Sequence, residues 1–218
     1  MSKAMTDTLY HLFKSDQMSD HDREQAAQGV LDSIDAFAPL RHARPDEAAQ
    51  DILIHIDAAV REHKRRPVTH AYEITCLKGC AHCCAIPVVG TIPEAVHALA
   101  HAESIGFSID EAKLARQARY DRGIWFEQPK EDQACVFMTA ERTCAIYEAR
   151  PASCRKHFSQ GDPEDCNIDT RGVGGAMKRW VVPLAEILYS GFMNVFRPGP
   201  WPKVLAIALA RRRKGGTA

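Results

Sequence analysis

Four cysteines within nine residues are the feature of this sequence that could most directly do chemistry. In the stretch CLKGCAHCC they are Cys76, Cys80, Cys83 and Cys84. Four more cysteines follow in the second half of the chain: Cys135, Cys144, Cys154 and Cys166. Thiolates are soft ligands that favour zinc and iron–sulfur clusters. Eight thiols are enough for two four-thiolate sites, or for one cluster with the remaining cysteines in structural roles.

The cysteine count has to be interpreted together with the redox compartment. The first residues, MSKAMTDTLYHLFKSDQ, show no long apolar segment of the kind found in a secretory signal. We therefore expect a cytoplasmic protein, in which an even number of cysteines indicates metal or redox chemistry more often than disulfides. The sequence favours metal binding over a disulfide framework.

Cys83 and Cys84 are neighbours in the chain. Neighbouring side chains point to opposite faces of a strand and lie about 100° apart around a helix. The two thiols are thus not expected to be equivalent ligands of one zinc ion. Either they serve two centres, or one binds metal and the other is a candidate redox or nucleophilic thiol.

The spacing Cys76-x-x-x-Cys80-x-x-Cys83 also matches the cluster motif of radical S-adenosylmethionine enzymes. Those enzymes normally build the motif on a partial barrel of alternating strands and helices. Helices are predicted before the motif here, no strand–helix repeat follows it, and His82 stands where an aromatic residue often precedes the third cysteine. The fold expectation therefore disfavours this interpretation.

The second half contains a more specific pattern, CAIYEARPASCR, from Cys144 to Arg155. Together with the cluster that ends in two adjacent cysteines, it resembles the YkgJ-type cysteine-cluster family, described as zinc- or iron-chelating CxxCxxCC proteins. The resemblance covers about residues 73–166, and all eight cysteines fall on the family pattern. It implies that these eight residues are the metal ligands: Cys76, Cys80, Cys83, Cys84, Cys135, Cys144, Cys154 and Cys166.

The pattern bears a more distant resemblance to flagellin lysine methylases, which are associated with an iron–sulfur cluster and S-adenosylmethionine. This resemblance implies an alternative function. The protein would be an iron–sulfur enzyme that modifies a protein or peptide, for example by methyl transfer or oxidation. Whether the protein is an enzyme stays open on the sequence, as does the choice between zinc and an iron–sulfur centre.

Charged and aromatic residues lie among the cysteines of the second half. Four thiolates on one zinc ion leave a net charge near −2, which nearby cations stabilise. Arg150 and Arg155 bracket Cys154, so we expect both guanidinium groups close to the bound metal centre, outside its ligands. His82 and His157 are alternative ligands. A choice between a core role and a hydrogen bond to sulfur stays open for Tyr147.

The elements that must position these residues read mainly as helices. Ser19 is expected to cap a helix that ends before Pro39, and a second helix is expected from Pro45. Its apolar stripe is Ala49, Ile52, Leu53, Ile56, Ala59 and Val60. Two capping boxes are predicted, from Thr91 to Glu94 and from Ser108 to Glu111.

The last part of the chain has a helical apolar spacing from Trp180 to Val195. A short final helix is predicted to dock through Val204, Leu205 and Ala208. We expect a mostly α fold, with helical arms around a loop-rich cysteine-cluster core. The predicted division is an N-terminal helical arm at 1–70, a metal-binding domain at 71–170, and C-terminal helices at 171–218 that pack on the same domain.

The composition limits the classes of partner. The formal net charge is zero, so no overall field favours nucleic acid. No apolar run approaches the roughly 18–20 residues that span a bilayer. The expected partners are a metal ion or cluster and, in a metal-dependent interaction module or a modifying enzyme, a protein or peptide.

Overall fold

The computed structural model describes residues 19–43, 45–65, 76, 78–172 and 178–215. Parts of the predicted N-terminal arm, residues 1–18 and 66–70, lie outside these residues. The longer helices are α1 (Asp20–Phe37), α3 (Pro45–Arg65), α4 (Ile92–Ser104), α5 (Glu111–Gln117), α9 (Pro183–Phe196) and α10 (Trp201–Arg213). The four-residue helices are α2 (Leu40–Ala43), α6 (Lys130–Gln133), α7 (Ala152–Arg155) and α8 (Ile168–Arg171). The predicted mostly α fold is confirmed.

The N-terminal helices form where local signals predict them. Ser19 caps α1: its hydroxyl accepts a hydrogen bond from the backbone N–H of Asp22 at 3.2 Å. The whole predicted apolar stripe of α3 is buried. Val30 and Phe37 of α1 are buried, whereas Leu31 is 49% exposed.

A first hydrophobic core lies between α1, α3 and α9. The rings of Phe37 and Phe192 meet edge to face, with centroids 5.1 Å apart. Helices α1 and α9 approach closely at Gly191, where an added Cβ would lie 2.4 Å from the Cβ of Ser33. The N-terminal helix therefore packs directly on a C-terminal one.

A second core joins α4 and α10 to the loops that carry cysteines. The predicted docking residues of α10, Val204, Leu205 and Ala208, are all buried. The basic end of α10 is tied to acidic residues, since Arg212 pairs with Glu103. This ion pair attaches the basic end of α10 to the last turn of α4.

Two small antiparallel sheets complete the part of the fold that the structure describes. Strand β1 (Val89–Gly90) pairs with β4 (Gly199–Pro200), and β2 (Phe158–Gln160) pairs with β3 (Lys178–Trp180). Trp180 therefore belongs to a strand opposite Phe158, and the prediction that it opens a helix is wrong. The helix begins at Pro183.

The N-cap of helix α5 lies two residues after the predicted one. Its N-cap is Asp110, whose carboxylate accepts from the N–H of Lys113 at 2.8 Å. Asp110 thus takes the place of the predicted Ser108 capping box. None of the helices among the described residues is long and apolar enough to cross a membrane.

Candidate metal centre

The eight cysteines come from separate segments that the fold brings together. Cys83 and Cys84 lie on a 3₁₀ turn, His82–Ala85. Cys135 and Cys144 lie on a tight loop closed by a backbone hydrogen bond from Ala145 N–H to the carbonyl of Phe137 at 2.9 Å. Cys154 lies on α7, and Cys166 ends the 3₁₀ turn Pro163–Cys166.

One group of thiols gathers around Ser159 of β2. The backbone N–H of Ser159 donates to the sulfur of Cys76 at 3.1 Å, and the Ser159 side chain forms a hydrogen bond with Cys166. Cys80 is close enough to interact electrostatically with both Cys76 and Cys166. The turn His82–Ala85 packs on the turn that ends at Cys166.

A second group of thiols lines a cavity of about 80 Å³. Its cysteines are Cys83, Cys84, Cys135, Cys144 and Cys154. The backbone joins two of them, because the N–H of Cys135 donates to the carbonyl of Cys84 at 2.9 Å. Most of the remaining wall is apolar and includes Ile86, Trp125, Phe137, Ile146, Trp201 and Leu205. The thiols therefore face a space that is larger than one ion needs.

Cys83 lies between the two groups. It interacts electrostatically with Cys76 and Cys166 on one side, and the cysteines that it meets on the other side are Cys135, Cys144 and Cys154. Its thiol also forms a hydrogen bond with that of Cys84. Cys83 and Cys84 both line the cavity. That they are not equivalent ligands of one zinc ion stays a prediction.

Burial makes the thiolate form of these cysteines costly. Burial first, and then neighbouring thiols, raise the pKa of Cys135 to about 11 and the pKa of Cys154 well above 9.0. The pKa of Cys83 is raised first by its hydrogen bond with Cys84 and then by burial. Without a cation, these thiols are neutral at pH 7.

The chemical type of these side chains suits a soft metal, but the distances between them are too long for one metal ion. Eight thiols in one neighbourhood, two of them with hydrogen bonds from Ser159, match the ligands of zinc or iron–sulfur centres. Within the described residues, however, no three His, Cys, Asp or Glu side chains are close enough to hold one metal ion. Metal binding would therefore have to draw the cysteine loops together, as is common when binding is coupled to folding.

The two predicted arginines occupy different environments. Arg150 interacts electrostatically with Cys83, Cys144 and Cys154, and its guanidinium lies 3.8 Å from the ring centroid of Tyr147. Its Nε atom is buried without a hydrogen-bond partner among the described residues. A cation is therefore in place next to the cavity thiols.

Arg155 is anchored to α3 and to the backbone of its own loop. Its guanidinium pairs with Asp57 of α3 at 2.5 Å, and it also donates to the carbonyl of Arg150 at 2.9 Å and to the carbonyl of Glu148. These bonds fix the loop between Glu148 and Cys154. A direct interaction of Arg155 with the metal centre stays a prediction.

His82 lies beside the first thiol group. Its Nε2 is 3.5 Å from a carboxylate oxygen of Glu164, and its Nδ1 is buried with no hydrogen-bond partner among the described residues. The imidazole thus keeps one nitrogen available as a ligand.

Glu94 is a buried residue at the site that the sequence identifies only as a helix cap. It is 1% exposed, and its carboxylate accepts from the N–H groups of Thr91 and Ala152, each at 2.8 Å. The hydroxyl of Tyr189 also donates to it at 3.3 Å. Glu94 therefore connects α4 to α7, the helix that carries Cys154. No local pattern in the sequence predicts the contact between Glu94 and Ala152.

Two tryptophans of the cavity wall were also missed by the sequence analysis. The indole N–H of Trp125 donates to the carbonyl of Ala85 at 2.8 Å, which fixes the end of the Cys83–Cys84 turn. Trp201 packs on Gly90, where an added Cβ would lie 2.4 Å from the ring. Their rarity in the sequence, which has three tryptophans, was the available signal.

The comparisons with known proteins agree with the position of the site. No significant match was found among curated proteins or among solved structures. The predicted family resemblance is confirmed for the segment that carries every cysteine: residues 75–171 match the family model CxxCxxCC, described as a putative zinc- or iron-chelating domain.

Proposed function

We propose that this protein binds zinc or an iron–sulfur centre through its eight cysteines. The observation that carries the proposal is the convergence of thiols from distant segments around Cys83 and one cavity. The family match supports metal binding by this cysteine segment.

Charge and burial favour a metal over free thiols. Several buried thiols side by side gain nothing from ionising unless a cation neutralises them. Arg150 supplies one positive charge near Cys83, Cys144 and Cys154, which is insufficient for a group of thiolates. Bound zinc would cross-link the loops structurally, whereas an iron–sulfur centre would add electron transfer.

A second candidate function is an iron–sulfur enzyme that modifies a protein or peptide, with S-adenosylmethionine as a cosubstrate. The cavity supports this candidate, because aromatic side chains of Trp125, Phe137 and Trp201 leave space beside the thiols. Calorimetric titration of S-adenosylmethionine into the metal-loaded protein tests it. Saturable binding that Trp125→Ala weakens would favour the enzyme, and the absence of binding would favour a chelating or partner-binding role.

Cysteine substitution tests metal chelation itself. Cys80→Ser and Cys144→Ser are each expected to lower metal content and thermal stability together, because metal binding contributes to folding free energy at such sites. Ala140→Ser is a matched control, since Ala140 is exposed on the same loop as Cys144. Unchanged metal content in both cysteine variants would contradict the proposal.

A further inference from the structure

We propose that the eight thiols divide into two adjacent four-thiolate centres, a division that rests on the proposed metal binding. The first centre contains Cys76, Cys80, Cys83 and Cys166. The second contains Cys84, Cys135, Cys144 and Cys154.

The first centre is supported by contacts around β2. Ser159 donates to Cys76 through its N–H and forms a hydrogen bond with Cys166 through its side chain, so these two cysteines share one neighbour. Cys80 interacts with both of them and belongs to the same group. Three thiols from both ends of the cysteine segment are thereby placed together.

The second centre is supported by the cavity. Cys135, Cys144 and Cys154 line its wall together with Cys84. The backbone hydrogen bond from Cys135 to Cys84, 2.9 Å long, couples Cys84 to this group. Arg150 lies among the same thiols and offsets part of their charge.

Cys83 completes the first centre. The group of Cys76, Cys80 and Cys166 has three members and needs a fourth for a closed tetrahedral shell. Cys83 interacts with Cys76 and Cys166, and the cavity group already has four members without it. Because Cys83 also faces the cavity thiols, the two metal centres would be neighbours.

Zinc protection of the thiols tests the division. Reduced, metal-free full-length protein is titrated with zinc and alkylated with iodoacetamide. Mass spectrometry of the intact protein then counts the alkylated cysteines. The result expected is a series of species with eight, four and no alkylated cysteines. Peptide mapping of the species with four is expected to show one quartet or the other protected, with no mixture of the two.

Two variants give the same information independently. Cys166→Ser is expected to bind one zinc ion, with Cys84, Cys135, Cys144 and Cys154 protected. Cys144→Ser is expected to bind one zinc ion, with the other quartet protected. Far-ultraviolet circular dichroism checks that each variant is folded, and if one is not, the wild-type peptide map decides alone.

The outcomes separate the two proposals. If the wild-type protein binds no zinc and, after anaerobic reconstitution, no iron, the proposed function is wrong. If it binds two metal equivalents but mapping shows Cys76 protected together with Cys135, the division is wrong while chelation stands. Loss of both equivalents in a folded Cys166→Ser protein would also overturn the division.

Discussion

The carboxylate of Glu94 accepts a hydrogen bond from the backbone N–H of Ala152 at 2.8 Å, although the two residues are 58 positions apart. The same carboxylate caps α4 through Thr91. Ala152 is the first residue of the helix that carries Cys154. One buried side chain therefore fixes a cysteine segment to the helical frame.

Replacing Glu94 is expected to affect both stability and metal affinity. In Glu94→Gln, an amide N–H₂ group replaces one acceptor oxygen and meets backbone or hydroxyl donors, so we expect a loss of roughly 2–3 kcal/mol in the free energy of unfolding. Urea unfolding measures this loss, and zinc titration should show weaker binding. Exposed Glu127→Gln is the control, and equal stability of the two variants would contradict this role of Glu94.

The contact between α1 and α9 predicts a size limit at Gly191. An added methyl group would lie 2.4 Å from the Ser33 Cβ and 3.0 Å from the backbone nitrogen of Ile34. Gly191→Ala is therefore expected to destabilise the fold by about 2 kcal/mol, despite the better helix propensity of alanine. Gly123→Ala is the matched control, because nothing lies within 4 Å of its added Cβ. Thermal unfolding of the pair decides the matter; a stabilised Gly191→Ala would show that the helices are not this close.

Replacing Arg150 is expected to weaken metal binding, whereas replacing Arg155 is expected to lower folding stability. Arg150→Gln removes the cation beside Cys144 and Cys154, and we expect about tenfold weaker metal binding there. Arg155→Gln removes the Asp57 ion pair and bonds to two carbonyls, so we expect the metal-free protein to lose roughly 2–3 kcal/mol. Metal titration and urea unfolding of both variants provide the comparison. Similar effects on affinity and stability in both would contradict the distinction.

Metal binding is expected to depend on pH. The pKa of Cys135 is raised from 9.0 to about 11, so the thiol is neutral at pH 7 and must release its proton to become a ligand. We expect about four protons released per zinc ion and an affinity that rises from neutral pH upward. Calorimetry in buffers of different ionisation enthalpy counts these protons. A count near zero would mean that the thiols are already ionised.

The stability of the metal-free protein should fall as pH rises, whereas the metal affinity rises. The pKa of Cys135 is 9.0 when exposed and about 11 when folded, so the unfolded chain loses its proton first as pH rises. The contribution of this thiol to stability is complete below pH 9 and is lost between about pH 9 and 11. The loss should be smaller in Cys135→Ser, and equal slopes of stability against pH in the two proteins would contradict the raised pKa.

Features that depend on short sequence distances could be predicted. The caps at Ser19 and Thr91 were correct because a capping box involves residues three positions apart. The predicted apolar stripe of α3 is buried because residues at helical spacing lie on one face of the helix. At α5 two acceptors compete, and the local pattern does not decide between Asp110 and Ser108.

Features that depend on tertiary contacts could not be predicted. Trp180 continues a helical apolar spacing, yet it pairs with Phe158 in a three-residue strand that only the folded chain defines. Cys83 and Cys84 line one cavity with cysteines from distant segments, and only the folded chain brings these segments together. The cysteines and the family pattern identified the site from the sequence. The residues packed around it, such as Glu94 and Trp125, are defined only by the folded structure.

The most direct test of metal binding is elemental and sulfide analysis, with an ultraviolet–visible spectrum, of wild-type protein purified without oxygen. We expect bound metal: either iron with acid-labile sulfide and broad absorbance near ~400 nm, or colourless protein with about two zinc ions per chain. Protein that carries neither metal, and in which all eight thiols react freely with iodoacetamide after reconstitution with zinc or iron, would contradict the proposed function.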